Sequence, residues 1–436
     1  MATRPFSVRF YTGLSRLLYP LVQPLLLIRR KRGKEDSRRM PERKGIASLP
    51  RPDGVLIWLH GASVGEIISL LPIAEHFTAA GVQVLVTSGT VTSAEVAKRR
   101  LPSGVLHQYL PLDLPAYVDR FLAHWRPDIG VFAESELWPN LIHAAHDAGT
   151  HLVIVNARMS ERSFRHWQRL PSFITSMLSR FELVLAQSSE DSARLRALGA
   201  SRAPVIGNLK YDAPPPPADP ADLAALAQAI GSRPVFVAAS THAGEEEQIA
   251  KAHRLASASV KSLLTILIPR HPERGDAVAQ MLASSGLTVA RRQTGALPDS
   301  TTDIYIADTI GELGLFYRLS KLAYLGGSLV PHGGQNPIEA AKLGNGILHG
   351  PHIHNFTEVY GILQDHHAAL QVEDADSLGR AVVQLLSQPA ILERMAGLAL
   401  SQMTQISGAV RQTLEALEPL VLQARIVSSS RAGDRP

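Results

Sequence analysis

From Val55 onward, short apolar runs alternate with longer stretches of helical period. Val55-Leu56-Ile57-Trp58-Leu59 is uninterrupted apolar sequence, the pattern of a parallel strand buried on both faces. Runs of the same kind recur at 82–87, 128–133, 151–156, 181–186 and 203–206. Helical stretches lie between them, at 63–80 and 90–100 among others. Strands alternating with helices predict a doubly wound parallel sheet. Residues 213–220, APPPPADP, interrupt the pattern and read as a semi-rigid linker. A second set then follows, with strands expected at 235–239, 263–268, 288–290, 304–307 and 322–325. Its helices are expected at 245–257 and 312–319, and the alanine- and leucine-rich stretch 374–422 reads as helical. The expected organisation is therefore an N-terminal segment (1–48), one Rossmann-like domain (49–212), a second (213–425) and a polar, disordered tail (426–436). A ligand cleft is expected where loops of the two sheets meet.

The N-terminal segment differs in kind. Residues 10–28 are largely apolar, but Arg16, Pro20, Gln23 and Pro24 interrupt them, and a span needs about 20 apolar residues. Arg29-Arg30-Lys31-Arg32 follows directly. That arrangement predicts an uncleaved anchor that inserts into or lies on an anionic membrane, its basic end cytoplasmic. A soluble arm packed on the body is the alternative. Residues 29–53 read as a flexible basic linker. Charge supports the division: residues 1–48 hold twelve Lys or Arg against three Asp or Glu, a balance of +9 within a chain total of +5. The rest is thus mildly acidic, which does not predict a nucleic-acid partner. With no cysteine, disulfides and thiolate zinc sites are excluded.

Candidate chemistry begins at 322–356. An apolar strand runs into Gly326-Gly327, and Gly333-Gly334 precede Gln335 and Asn336. Asn336 suits an N-cap, Pro337 the first helical position and Glu339 the first turn, with the helix ending near Gly344. Backbone N–H groups there would meet an oxyanion, and Glu339 would meet sugar hydroxyls. Arg270, after the strand 263–268, suits a phosphate through its planar fork. Glu66 follows the first strand, where α/β sheets place ligands. Ser63-x-x-Glu66 is also a capping-box pattern, in which the glutamate serves only the backbone. No HExxH and no DxD pair occurs, and His349, His352 and His354 fall in a polar loop, so no metal is expected.

Several motifs together resemble one family. They are HGASVGE (60–66), ESELWPNL (134–141), NARMSERS (156–163), GNLKYD (207–212), STHAGEEE (240–247), PRHPER (269–274), IGELGLFY (310–317), and GGSL with GGQNPIEAA (326–341). In that order they are similar to the 3-deoxy-D-manno-octulosonic acid (Kdo) transferases of lipopolysaccharide assembly. The resemblance implies a GT-B fold whose first domain binds the acceptor and whose second binds the donor. It implies transfer of Kdo from CMP-Kdo onto lipid A precursor at the cytoplasmic face of the inner membrane, with no cofactor. By motif, Glu66 would be the proton acceptor, with Glu136 and Lys210 supporting the transition state. CMP would meet Pro269, Arg270, Ile310, Gly311, Glu312, Asn336, Pro337, Ile338 and Glu339. Arg158, Arg162 and Arg165 would meet acceptor phosphates, or are solvated helix charges. The sequence departs from the family at 343–346, where a proline is usual. A nucleotide-sugar epimerase and a membrane-tethered ligand-binding protein are the competing functions.

Overall fold

The computed structural model describes residues 4–433 and divides into two compact units. One holds the chain up to Ala213 together with the chain from Ser407 onward. The other is Pro214–Ile406.

The first unit is built on six strands: β1 (Leu56–Gly61), β2 (Gln83–Ser88), β3 (Leu106–Tyr109), β4 (Ile129–Ala133), β5 (His151–Ala157) and β6 (Phe181–Ala186). All pair in parallel, in the order β3-β2-β1-β4-β5-β6. The chain winds outward from β1 in one direction and from β4 in the other, so the crossover point lies between them. Alternation along each strand sorts the core into two layers. Ile57 and Leu59 pack with Ile67, Leu70 and Ile73 on one face. Leu56 and Trp58 pack with Phe121, Trp125 and Ile142 on the other. The helices are α1 (Phe6–Leu17), α2 (Tyr19–Lys31), α3 (Val64–Ala79), α4 (Val91–Arg100), α5 (Pro115–Trp125), α6 (Pro139–Asp147), α7 (Glu161–Trp167), α8 (Pro171–Leu178) and α9 (Ser189–Ala197). Strand β3 was not expected, because its Leu-His-Gln-Tyr is half polar. Its Gln108 is nonetheless buried, accepting from the Trp125 indole at 2.8 Å. The strand expected at 203–206 reduces to one bridge, Ala186 to Val205, because Pro204 offers no ladder N–H.

Two boundaries are corrected. The second domain does not run to residue 425: it ends at Ile406, and the helix Ala409–Gly433 belongs to the first unit. Leu417, Leu420 and Val421 join the core beneath α3, and Gly408 N–H donates to the Asp212 carboxylate at 2.6 Å. The tail expected to be disordered from 426 continues as this helix to Gly433.

The N-terminal expectations also change. The apolar segment is two short helices joined at Leu18. Among the described residues, no helix is long and apolar enough to cross a membrane. The linker 29–53 is not flexible. A 3₁₀ turn at Met40–Lys44 brings Glu35, Glu42 and Arg43 into the interior. Glu35 accepts from Arg29 at 2.7 Å and Arg43 at 3.0 Å, and Arg43 also donates to Leu110 O at 3.1 Å. Glu42 accepts from Arg39 and from Tyr109 N–H at 2.8 Å. Charges tolerate burial when each is paired and hydrogen-bonded, so a run that reads as solvated becomes an internal strap.

The second unit has seven parallel strands: β7 (Val235–Thr241), β8 (Leu264–Pro269), β9 (Val289–Arg291), β10 (Ile304–Ile306), β11 (Leu322–Leu325), β12 (Gly346–His349) and β13 (Ala369–Gln371). Their order is β13-β12-β11-β7-β8-β10-β9, with the crossover point between β7 and β11. The proline linker is ordered on this unit. Arg318 donates to Pro216 O at 2.8 Å, and a Cβ at Gly314 would lie 2.2 Å from the same oxygen. At 343–346, Asn345 lies buried and donates to Tyr317 O and Ser320 O at 3.1 and 2.7 Å, fixing the turn without a proline.

Candidate active site

Each sheet carries its motif residues beyond the carboxyl ends of its strands, the side on which open α/β sheets bind ligands. In the first unit, β1 ends at Gly61 and α3 begins behind the N-cap Ser63. The Ser63 side chain accepts from Glu66 N–H at 3.3 Å. The Glu66 carboxylate accepts from Ala62 N–H at 2.8 Å and from the Ser63 hydroxyl at 2.6 Å. Glu66 therefore does serve the backbone, but through the N–H of Ala62, one residue before the N-cap, rather than the N-cap N–H that a capping box engages. Two donors leave about half of a carboxylate's acceptor positions open, and they hold it in one orientation. Gly61 is required here: a Cβ would lie 3.0 Å from the Glu66 Cβ.

Lys210 arrives from the other end of the unit. Asn156, at the end of β5 with φ of 53°, accepts from Leu209 N–H at 3.0 Å, and Asn208 accepts from Lys210 N–H at 3.0 Å. The ammonium donates to Glu134 at 2.7 Å and lies 3.8 Å from where a Gly65 Cβ would be. Lys210 thus stands at the start of the helix that carries Glu66. Glu134 closes β4 with φ of 57°, a conformation non-glycine residues adopt only when their surroundings enforce it.

Glu136, two residues on, accepts from the Trp138 indole at 2.9 Å and faces His60 Nε2 at 3.7 Å. Burial pushes its carboxyl up, but His60 and Trp138 outweigh that and hold it below its ordinary value. His60 is fully buried on β1, its Nδ1 fixed by Thr87 at 2.9 Å. All three expected residues thus lie around the β1 and β4 ends. Glu134 and His60 were not singled out, although each opens one of the motifs. What hid them was that a partner across 76 residues cannot be read from spacing.

In the second unit, Pro269 ends β8, and the exposed Arg270 follows with its N–H on Thr241 O at 2.9 Å. Ile310 and Gly311 form a turn, Ile310 fully projecting at 87% exposure and Gly311 at φ of 86°. The Glu312 carboxylate is engaged: Arg292 donates to it at 2.8 Å and Thr309 also contacts it, and chiefly through Arg292 its pKa is lowered. The turn therefore presents backbone and Ile310 rather than a free acid.

The two glycine pairs meet directly. Gly334 N–H donates to Gly327 O at 2.8 Å and Gln335 N–H to Gly326 O at 3.0 Å. The helix expected from Asn336 starts later and is short, Ile338–Lys342, with Pro337 rather than Asn336 at its cap. Asn336 still accepts from Ile338 N–H at 3.0 Å, and its amide approaches Glu339 at 3.4 Å. Burial raises the Glu339 carboxyl.

Glu245 was missed. It is fully buried and accepts from Gly327, Ser328 and Leu329 N–H at 2.7, 3.1 and 3.1 Å, from Tyr324 OH at 2.6 Å and from His242 N–H at 2.9 Å. In sequence it was one of three glutamates suited to a helix start; in the structure it shapes the whole glycine loop. Beside it, His242 stacks on His332 at 4.4 Å and lies 3.1 Å from Gln335 Nε2. Burial, and then His332, lower its pKa. Among the described residues no three His, Asp or Glu side chains gather to hold a metal ion. His349 is buried, bonded to Gly350 O at 2.7 Å.

A family model described as 3-deoxy-D-manno-octulosonic-acid transferase matches residues 38–213. The 3-deoxy-D-manno-octulosonic acid transferase of Haemophilus influenzae is 35% identical across 94% of this chain and 98% of its own length. That of Bordetella pertussis is 36% identical over the same shares. The chain belongs to this family. It is a glycosyltransferase that transfers Kdo in lipopolysaccharide biosynthesis. The fold agrees with that of a glycosyltransferase from Rickettsia africae, with a TM-score of 0.56 at 13% identity over 85% of this chain and 99% of the other. The two parallel-sheet units are those of a GT-B-like architecture.

Proposed function

We propose that this transferase moves Kdo, with inversion, from CMP-Kdo to a hydroxyl of a lipid A precursor. The convergence of Glu66, Glu136 and Lys210 on one crossover point is the observation that carries this reading. As the acceptor oxygen bonds to the anomeric carbon, the bond from that carbon to the CMP phosphate breaks and CMP leaves. Glu66 takes the hydroxyl proton, and its capping bonds aim it. The Lys210 ammonium and the His60-paired Glu136 set the field for the charge that develops. On the second unit, Arg270 and the backbone at Asn336–Ile338 meet the phosphate, the Ile310–Glu312 turn and Pro269 frame the base, and Glu339 accepts from the ribose. No cofactor enters this scheme. An epimerase acts on the nucleotide sugar alone and would have no use for an apolar, basic N-terminal segment.

The same reading places the enzyme at the cytoplasmic face of the inner membrane. Phe6, Phe10, Leu14, Leu17, Leu21 and Leu25 are exposed on α1 and α2, and Arg29–Arg32 follow. Helices of 12 and 13 residues suit a position in the plane of the interface. Incubation with CMP-Kdo and a lipid A precursor should add the mass of Kdo to the lipid, read by mass spectrometry. Release of CMP without a heavier lipid would reject the reading.

A further inference from the structure

Three neighbouring strands of the second unit, in the order β11-β7-β8, carry basic side chains beyond their carboxyl ends. His242 follows β7, Arg270 and His271 follow β8, and His332 lies in the loop after β11. The three histidines have no part in the transfer scheme. The His242 and His332 rings stack at 4.4 Å, and the His271 ring meets His242 edge-on at 6.0 Å. Burial, then His332, lower the His242 pKa; His271 and Arg270 add to this, and Glu245 opposes it. The acids nearby are already engaged. Backbone N–H groups and the Tyr324 hydroxyl take up Glu245, and Glu273 faces His271 at 3.5 Å. Among the described residues no carboxylate forms an ion pair with His242, His332 or Arg270. Gathering like charges costs free energy, so the cluster fits an anion that arrives from outside.

The chemistry of the donor names that anion. Kdo is an ulosonic acid, so in the activated sugar its anomeric carbon bears a carboxylate as well as the phosphate. A site for the one must adjoin a site for the other. Arg270, the phosphate ligand of the transfer scheme, is among the charges that act on His242. The histidines are also held in place. Glu245 accepts from His242 N–H at 2.9 Å and from Gly327 N–H at 2.7 Å, so one buried carboxylate fixes both loops. We propose that His242 and His332 bind the donor's carboxylate as imidazolium, and so select an acidic sugar over a neutral one. The inference rests on the transfer reading and names the part of the donor that is recognised beyond CMP. Before binding, Gln335 presents its amide nitrogen to His242 Nε2 at 3.1 Å, which suits a neutral ring. A carboxylate favours the charged form, so its arrival draws a proton.

The test is binding without acceptor, so that no transfer occurs. Calorimetry compares CMP-Kdo, the analogue with its carboxylate replaced by a carboxamide, and CMP. Each is bound to the full-length protein and to a double His242→Gln, His332→Gln variant. The variant should bind CMP-Kdo about tenfold more weakly, the scale of one charged hydrogen bond, with CMP affinity unchanged. The carboxamide should bind the wild type as weakly as CMP-Kdo binds the variant. Equal affinity of the wild type for acid and carboxamide would overturn the proposal, as would an equal loss of CMP affinity in the variant. His332 is exposed, so His332→Gln alone keeps the fold. It should weaken CMP-Kdo and spare CMP; full CMP-Kdo affinity there would overturn the pair as the ligand. Near neutral pH the wild type should take up a proton with CMP-Kdo and none with the carboxamide. The variation of binding enthalpy with the ionisation enthalpy of the buffer reads this, and no difference would overturn recognition by imidazolium. If the wild type prefers CMP-Kdo to its carboxamide yet transfers nothing to lipid, the transfer reading falls and this one stands.

Discussion

Lys210 and Glu134 meet at 2.7 Å, and both belong to the carboxyl edge of the first sheet. The pair is partly open to solvent, the lysine side chain 44% exposed and the glutamate 25%. An exposed pair of this kind contributes less than about 1 kcal/mol. Lys210→Ala should therefore leave the melting temperature nearly unchanged while lowering kcat about a hundredfold, the scale of a lost electrostatic contact in the transition state. A variant with near-normal kcat would make Lys210 a surface charge.

Glu66→Gln separates the proposed base from the observed cap. Loss of a cap costs about 1 kcal/mol, and glutamine still accepts from Ala62 N–H. Loss of a base costs about 10²–10⁴ in rate. We expect normal CMP affinity and stability with kcat reduced in that range. Near-normal turnover would leave Glu66 as a cap alone.

Glu245→Ala should act on the second unit's stability and donor affinity together. It strips three loop N–H groups and a tyrosine hydroxyl of their acceptor, costing about 3 kcal/mol or more. Chemical denaturation and CMP calorimetry would record both losses; unchanged CMP binding would separate the loop from the donor site.

Glu339 supplies a pH test. Burial raises its folded pKa above the unfolded value. Its protonated form is thus favoured by folding, and that stability is present below the unfolded pKa and lost as pH rises through the folded one. Glu339→Gln should be more stable than the wild type at pH 7, and the gain should vanish at acid pH. It should also weaken CMP relative to cytosine. A variant equally stable at both pH values would contradict the burial.

At the N-terminus, surface and strap should behave differently. Phe10→Glu with Leu21→Glu, both at exposed positions, should abolish flotation with anionic vesicles at little cost in stability. Arg43→Ala should instead cost about 3–5 kcal/mol by leaving Glu35 buried with one partner fewer. Undiminished flotation of the first variant would remove α1 and α2 as the membrane contact.

The sequence by itself determined the two α/β halves, the strands at the centre of each sheet and the order of the motifs along them. Those features are local: a parallel strand buried on both faces, such as β1, is apolar along 56–59, and the proline run at 214–217 has no N–H for a helix or a ladder. The role of Glu66 at the start of its helix was legible, because capping is local. Tertiary structure alone decided that the last helix returns to the first unit, since Leu417 and Val421 would bury equally well against any apolar face. It decided as well that Arg43 and Glu35 are internal, that Glu245 shapes the glycine loop, and that Lys210 stands beside the helix of Glu66. Each of these depends on a partner distant in the chain, and a charged side chain looks the same in sequence whether water or a buried counter-charge will meet it.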